Sequence, residues 1–94
     1  MRPIPSKLKA EMAADPFYEV CVFDSFECDG RIEWDHVFIY GGKQINEKWA
    51  ILPTCHWHHT NITRFRKQSE RIAVARATRE DLAKYPKKNW SLYR

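Results

Sequence analysis

The first third of the chain combines short apolar segments with turn signals. Leu8 and Met12 lie one helical turn apart, which predicts an amphipathic helix over residues 7–14 with Ser6 as its N-cap. The apolar run over residues 17–23 predicts a short extended segment. We therefore expect one helix followed by an extended stretch before the first strand.

Two strand candidates occupy the middle of the chain, over residues 31–40 and 48–52. Both are rich in β-branched and aromatic side chains, and a glycine-containing loop over residues 41–46 separates them. Pro53 is expected to end the second strand. The pattern therefore predicts an antiparallel hairpin with a long connection.

The remainder of the chain has helical spacing. A helical segment is expected to open at residue 54 or 55, and Ser69 is expected to cap a helix over residues 70–77. The sequence from Thr78 to Asp81 has the pattern of a capping box, which predicts a further helix ending near Tyr85. Strands followed by helices predict the α+β class.

The chain has 94 residues, so we expect one domain over residues 1–94, with a basic helical extension over residues 68–94. A chain this short buries only about 60–65% of its unfolded surface and often needs a metal, disulfides or a partner. Its 44% hydrophobic and 30% charged residues fit a globular domain. Without an apolar signal core or a run of about 20 apolar residues, we expect a cytoplasmic protein with no membrane partner.

The net charge of +4 divides unevenly along the chain. Residues 1–63 carry six Lys/Arg and nine Asp/Glu, a balance of −3, whereas residues 64–94 carry ten Lys/Arg and three Asp/Glu, a balance of +7. A basic end of this kind suits a polyanionic partner such as nucleic acid. The alternative is an ordinary solvated helical surface.

The cysteines have the spacing of metal ligands. Cys21 and Cys28 are separated by six residues, and Cys55 and His58 by two, so the four side chains form one candidate tetrahedral zinc site. Such a site would supply folding free energy that a small chain lacks. His56 competes with His58 as the fourth ligand. The alternative is that the cysteines are buried as small hydrophobic residues.

A second group consists of Asp35, His36 and His59. A carboxylate and an imidazole from separate elements, Asp35 and His59, would hold a divalent cation and leave positions open for phosphate oxygens. His36 is then available as a general base for water, which is the equipment for metal-assisted phosphodiester hydrolysis. The alternative is that all three hydrogen-bond to the backbone. Strand alternation also directs neighbours 35 and 36 to opposite faces, unless the strand kinks or ends there.

The order of these groups carries further information. An Asp-His pair (35–36), a Gly-Gly loop (41–42), a second strand and a Cys-x2-His-His sequence (55–59) follow one another. This order resembles the HNH nuclease family over residues 21–67, and in particular its small zinc-stabilised phage and prophage members. The resemblance implies a small ββα-metal fold with a structural zinc site and flanking helices.

The resemblance also implies a role for each residue. Asp35 and His59 match the ligands of a catalytic cation, Mg²⁺ or another divalent ion, and His36 matches the general base. Glu33 often has a counterpart in the family and supports the site. The structural zinc cluster is matched by Cys21, Cys28, Cys55 and His58.

The basic residues gain a role from the same resemblance. Arg64, Arg66 and Lys67 continue the helix after His59, and Lys43 lies in the Gly-Gly loop, so we expect them to contact the DNA backbone. Phosphate contacts carry little sequence information. The implied function is a metal-dependent endonuclease that hydrolyses DNA with weak sequence specificity, in phage DNA processing or recombination.

One position departs from the family pattern. Ala50 occupies the register of the asparagine that orients the general base. Either Asn46 reaches His36 from the loop, or a backbone carbonyl orients it, or catalysis is weakened; Asn61 is a further candidate. The alternative function is therefore a noncatalytic zinc-stabilised nucleic-acid-binding module, and the third is a small protein-interaction zinc module.

Overall fold

A computed structural model describes residues 4–86 and 88–93 of the chain. It is a small α+β structure, as the sequence predicts. Short 3₁₀ turns connect the regular elements at Pro16–Glu19, Lys48–Ala50, Ile62–Phe65 and Trp90–Tyr93. The helices and strands are α1 (Ser6–Ala13), β1 (Ile32–His36), β2 (Ile39–Tyr40), β3 (Lys43–Gln44), β4 (Ile51–Cys55), α2 (His56–Thr60), α3 (Arg66–Arg76) and α4 (Arg79–Ala83).

The strands form two small antiparallel sheets. β1 pairs with β4, so that Ile32 lies opposite Cys55 and His36 opposite Ile51. β2 and β3 form a separate hairpin between them. Its turn is Gly41-Gly42, with φ values of 60° and 80° that side chains other than glycine rarely adopt. The single predicted hairpin is therefore a pair of strands with a second, shorter hairpin inserted between them.

The predicted second strand is displaced toward the C-terminus. Lys48–Ala50 is a 3₁₀ turn, and β4 begins at Ile51 and continues through Pro53. Proline is tolerated there because a two-stranded sheet consists only of edge strands. The carbonyl of Pro53 still accepts a hydrogen bond from the backbone N–H of Val22, at 2.8 Å. The prediction that Pro53 ends the strand is wrong for this reason.

Three other local predictions are also wrong. Ser6 is the first helical residue, after Pro5 as N-cap, and Ser69 lies buried inside α3, where its hydroxyl donates to the Arg66 carbonyl at 2.8 Å. The segment 17–23 contains a 3₁₀ turn, because the buried Tyr18 hydroxyl donates to the carbonyls of Lys48 and Ile51 at 2.6 and 2.8 Å. For Tyr18, contacts with residues 30 and 33 positions away override the local pattern.

The capping box at the start of α4 is confirmed. The Thr78 hydroxyl accepts from the Asp81 backbone N–H at 3.1 Å, and the Asp81 carboxylate accepts from the Thr78 N–H at 2.8 Å. These two bonds satisfy backbone groups that a helix start leaves without partners. The helix ends at Ala83, slightly before the predicted end near Tyr85.

The core fills the space between the sheets and α3. Phe38 and Trp49 are buried at its centre, and the C-terminal turn docks onto them through Trp90, whose ring lies edge-on to Phe38 at 5.2 Å. A smaller cluster around Met12 holds α1 against β4. No helix within residues 4–86 and 88–93 has the length and apolar character needed to cross a membrane.

Candidate functional site

The four predicted zinc ligands converge on one point. Their ligand atoms, the three sulfurs and His58 Nδ1, all lie within 4.8 Å of one another. Nδ1 is 3.6 Å from the sulfurs of Cys21 and Cys28 and 3.1 Å from that of Cys55. A tetrahedral zinc ion with bonds of about 2.3 Å to sulfur and about 2.0 Å to nitrogen has nitrogen–sulfur edges of roughly 3.5 Å. The four side chains are thus placed to bind a metal such as zinc.

Local backbone geometry brings these ligands together. Cys55 is the N-cap of α2, and its sulfur accepts from the backbone N–H of His58 at 3.4 Å, which fixes the Cys-x2-His pair. The Asp29 carbonyl accepts from the Trp57 N–H at 3.1 Å and holds the loop of Cys28 against the helix start. Two distant segments of the chain are therefore joined at the candidate site.

Gly30 allows this close approach. Its φ is +84°, and a Cβ on it would lie 2.6 Å from the Cβ of His56. Any other residue would therefore be strained in its backbone and would also overlap with the first residue of α2. The Asp29-Gly30 turn therefore allows the loop that contains Cys28 to pack against the start of α2, where Cys55 and His58 lie.

Aromatic rings enclose His58, which is buried. Phe23 stacks on its ring at 4.9 Å, and Trp57 and Phe65 meet it edge-on at the same centroid distance. The Ser25 hydroxyl lies 3.4 Å from Nε2, on the side of the ring away from the sulfurs. These partners fix the orientation of the ring, as the outer neighbours of metal-binding histidines commonly do.

The electrostatics of the cluster favour a thiolate at Cys55. Burial acts to raise the pKa of this thiol, but hydrogen bonds from the backbone and side chain of His58 and from the Asp29 backbone lower it to about 6. Burial raises the pKa of the Cys28 thiol. Metal ligation requires deprotonated thiols, so the cluster has one sulfur already prepared for it.

His56 is not part of the cluster. Its side chain is 63% exposed, and its Nδ1 lies 2.7 Å from Glu33 Oε2. Because β1 and β4 pair with Glu33 opposite Thr54, the carboxylate lies beside the start of α2. Of the two histidines that could complete the site, the structure brings His58 to the cysteines and turns His56 toward solvent.

Asn46 contacts the candidate general base. Its Oδ1 lies 2.6 Å from His36 Nε2. An amide oxygen accepts, so this contact requires a proton on Nε2, and in the neutral imidazole with that tautomer Nδ1 has the lone pair that a base needs. The neighbouring residue Ile45 holds the backbone at this point. Its side chain is buried, and its backbone N–H donates to the Phe38 carbonyl at 3.0 Å. Of the alternatives considered for orienting His36, the structure supplies this one.

The other two positions considered for that role lie elsewhere. Ala50 is fully buried in the main core, and its carbonyl accepts from the Val37 N–H at 3.0 Å. Asn61 follows α2, and its side-chain amide donates to the Trp57 carbonyl at 2.8 Å. Neither is positioned by these contacts to orient His36.

Asp35 and His59 each have a partner of their own. The Asp35 carboxylate is only 6% exposed and lies 3.2 Å from Arg66 Nη1, which also donates to the Val37 carbonyl at 3.4 Å. His59 Nδ1 lies 3.4 Å from the Thr54 hydroxyl and 3.5 Å from Glu33 Oε1. Within the described part of the chain, only the Cys3His cluster unites three or more potential ligands. The structure thus brings His59 to Glu33.

The carboxylate of Glu33, in β1, lies near three basic side chains, those of Arg31, His56 and His59. The hydrogen bond from His56 is the main reason that the pKa of its carboxyl lies below the usual value, against the effect of burial, and the charges of His59 and Arg31 act in the same direction. The carboxylate is therefore ionised at neutral pH and faces two imidazoles. The resemblance implies that Glu33 supports the site, and the structure places its carboxylate 3.5 Å from His59 Nδ1.

The basic candidates differ in availability. Lys43, Arg64 and Lys67 are exposed, whereas Arg66 is engaged with Asp35. The exposed cations lie on separate elements, since Lys43 is in β3 and Lys67 is near the start of α3. Among the residues that the structure describes, only Arg66 of these four forms an ion pair, so the other three could contact a phosphate without breaking one.

Sequence reasoning missed the supporting residues. Ser25 and Thr54, which contact His58 and His59, carry no motif of their own. Phe23 and Phe65 could have been suspected from the sequence, since each lies a short distance along the chain from a predicted ligand. Their contact with the same imidazole, that of His58, depends on the fold.

Comparison with known proteins adds no relative of this chain. No protein-family model, no curated protein and no solved structure matches it. Its interpretation therefore rests on the order of its motifs and on the geometry described above.

Proposed function

We propose that this chain is a zinc-stabilised, metal-dependent endonuclease of the HNH type that acts on DNA. The observation that carries the proposal is the contact of 2.6 Å between His36 and Asn46. A histidine whose Nε2–H is held by an amide oxygen has the tautomer and orientation that a general base requires.

The surroundings of His36 support the same function. It ends β1, directly after Asp35, and β1 pairs along its length with β4, which leads into α2 and His59. The Cys3His cluster fixes the start of α2 at the end of β4. The side chains of β1, β4 and α2 are thus held on rigid elements. Such elements position groups for chemistry more accurately than loops do.

The proposed roles follow the resemblance. His36 Nδ1 accepts the proton of the attacking water. Asp35 and His59 would hold a divalent cation, which would supply charge stabilisation for the phosphate and the leaving oxygen. Arg66 pairs with the buried Asp35 carboxylate, so a cation at Asp35 would require the guanidinium to leave this ion pair. Arg66 is then available to a phosphate, as are the exposed Arg64, Lys67 and Lys43.

A specific observation favours the second candidate, a noncatalytic zinc-stabilised nucleic-acid-binding module. Asp35 is buried against Arg66, and the carboxylate that faces His59 is Glu33. If the Asp35–Arg66 pair is permanent, the chain keeps its zinc and its basic surface but has no catalytic cation. The two functions therefore differ in the number of metal ions that the protein binds.

Metal titration separates the two candidates. Zinc-loaded protein titrated with Mn²⁺ in a calorimeter is expected to bind one further ion, because Asp35 and His59 supply an additional site. Asp35→Asn is expected to abolish this second binding event and to leave the zinc content at one ion per chain. Glu80→Gln, at an exposed carboxylate in the first turn of α4, is the control and should bind both ions. Wild-type protein that binds zinc but no second ion would support the noncatalytic module.

A further inference from the structure

A cleft beside the His36–Asn46 pair has features that the proposed hydrolysis does not use. It measures about 420 Å³ and is lined by Tyr40, Lys43, Gln44, Asn46 and Tyr85. A volume of this size lies within the range of small-ligand sites. Asn46 forms one wall, so any occupant of the cleft lies next to the residue that orients the candidate base.

One wall contains a buried acceptor. Gln44 Oε1 is buried and has no hydrogen-bond partner within residues 4–86 and 88–93. Buried side-chain oxygens are rarely left in this state, and each exception calls for an explanation. Gln44 lines the cleft, so rotation of its amide would turn this oxygen toward a ligand N–H group there.

The other walls suit a flat heteroaromatic ring. Tyr40 and Tyr85 meet edge-to-face with their centroids 5.0 Å apart, and the cleft lies against both. Aromatic side chains are the surfaces on which unstacked bases bind. Among residues 4–86 and 88–93, Lys43 is the one ionised side chain that lines the cleft, and as a cation it suits the phosphate attached to such a base.

A second cleft reaches the other side of Asn46 and serves as a contrast. It measures about 570 Å³, and its lining has a charge balance of −1, against +1 for the smaller cleft, because it contains three cations (Lys7, Lys48 and Arg76) and four carboxylates. These are Glu11, Asp15, Glu47 and Asp81. The smaller cleft, with a lysine and no carboxylate in its lining, is the side that a nucleic acid can approach.

We infer that the cleft lined by Tyr40, Lys43 and Gln44 binds an unpaired nucleobase of the nucleic-acid substrate. The inference rests on the proposed function and names its substrate class as single-stranded or locally unpaired nucleic acid. Every nucleobase has an N–H donor on its Watson–Crick edge that Gln44 Oε1 could accept. A paired base is stacked inside the duplex and cannot enter the cleft against Tyr40 and Tyr85, whereas an unpaired base can, so the cleft selects single strands without reading sequence.

Binding measurements test this inference without any cleavage. The probe is a fluorescein-labelled 12-nucleotide DNA of mixed sequence, used single-stranded and as its duplex, with the His36→Ala protein and no added divalent ion. We expect tighter binding of the single strand. Gln44→Leu removes the acceptor at similar volume and is expected to weaken single-strand binding about five- to tenfold, with little effect on the duplex. Gln68→Leu makes the same change at an exposed position of α3 and should leave both affinities unchanged.

A second measurement needs no variant at position 44. On titration of isotope-labelled wild-type protein with the unlabelled single strand, the NMR signals of the Gln44 and Asn46 side-chain amides are expected to shift while that of Gln68 stays in place. Equal affinity for single strand and duplex, or an unmoved Gln44 signal at saturation, would overturn the inference. The same oligonucleotide as RNA shows whether the cleft discriminates against a ribose.

The outcomes for the cleft and for the proposed function can be told apart. Cleavage of DNA without any preference for single strands would contradict the inference about the cleft and leave the nuclease intact. Single-strand binding that depends on Gln44, in a protein that cleaves nothing, would support the cleft and contradict the nuclease.

Discussion

Removal of the metal from the Cys3His cluster is expected to unfold this protein. Structural zinc contributes about 10–16 kcal/mol of binding free energy in small domains, whereas whole domains are stable by only about 5–15 kcal/mol. Here the cluster joins the loop of Cys21 and Cys28 to the start of α2, and the buried His58 fills the space among three aromatic rings. A chelator of high zinc affinity should therefore abolish the cooperative thermal transition seen by circular dichroism.

The two neighbouring histidines supply the matched variants for this prediction. His58→Gln is expected to lose the zinc, measured by elemental analysis, and to lose the cooperative transition. His56→Gln should keep one zinc ion per chain and most of the stability, because His56 is exposed and contacts only Glu33 through its ring nitrogen. A His58→Gln protein with full zinc content, or a chelated wild type that still melts at the original temperature, would contradict the assignment of the site.

His36→Ala is expected to reduce DNA cleavage by at least about 100-fold while leaving DNA affinity unchanged. A positioned general base contributes about 10²–10⁴-fold to rate, and His36 has the fixed tautomer of such a base. Substrate affinity depends mainly on phosphate contacts made by lysines and arginines elsewhere. Rates of plasmid nicking, measured together with affinity by fluorescence anisotropy, separate these two effects.

The asparagines give a graded control for the same prediction. Asn46→Ala is expected to reduce cleavage by about tenfold, less than the loss of the base itself, because the imidazole remains but its orientation is no longer held. Asn61→Ala removes the same amide from a residue that contacts only the Trp57 carbonyl, so it should cleave at the wild-type rate. Equal rates for the Asn46→Ala protein and the wild type would show that the contact with His36 has no positioning role.

The sequence predicts the elements of this fold better than their boundaries. The capping box of α4 and the N-terminal position of Cys55 in α2 are local signals, and both are confirmed. The displaced strand β4 depends on partners in β1 that are 15 to 23 positions away in the chain. The 3₁₀ turn at Tyr18 depends on carbonyls 30 and 33 positions away. The pattern of nearby residues carries no information about such contacts. For this reason the sequence predicts that Pro53 ends the strand, although Pro53 lies inside β4.

The candidate site likewise has a part that the sequence predicts and a part that depends on the fold. The zinc ligands were predictable because tetrahedral coordination restricts residue types and spacing. The Asn46–His36 contact remained one of several alternatives, since it depends on how the β2–β3 hairpin returns the chain to β1. The pairing of Asp35 with Arg66 had no sequence signal, because the two residues are 31 positions apart and meet only after α3 packs near β1.

Cleavage of supercoiled plasmid by the zinc-loaded wild-type protein tests the central claim most directly. We expect nicked and then linear DNA when Mg²⁺, Mn²⁺ or Ni²⁺ is added, and no cleavage when the zinc-loaded protein is used without a second divalent ion. The products should be seen at salt concentrations low enough for phosphate contacts to persist. A correctly folded, zinc-containing protein that leaves both the plasmid and single-stranded DNA intact with all three ions would contradict the proposal that this chain is an endonuclease.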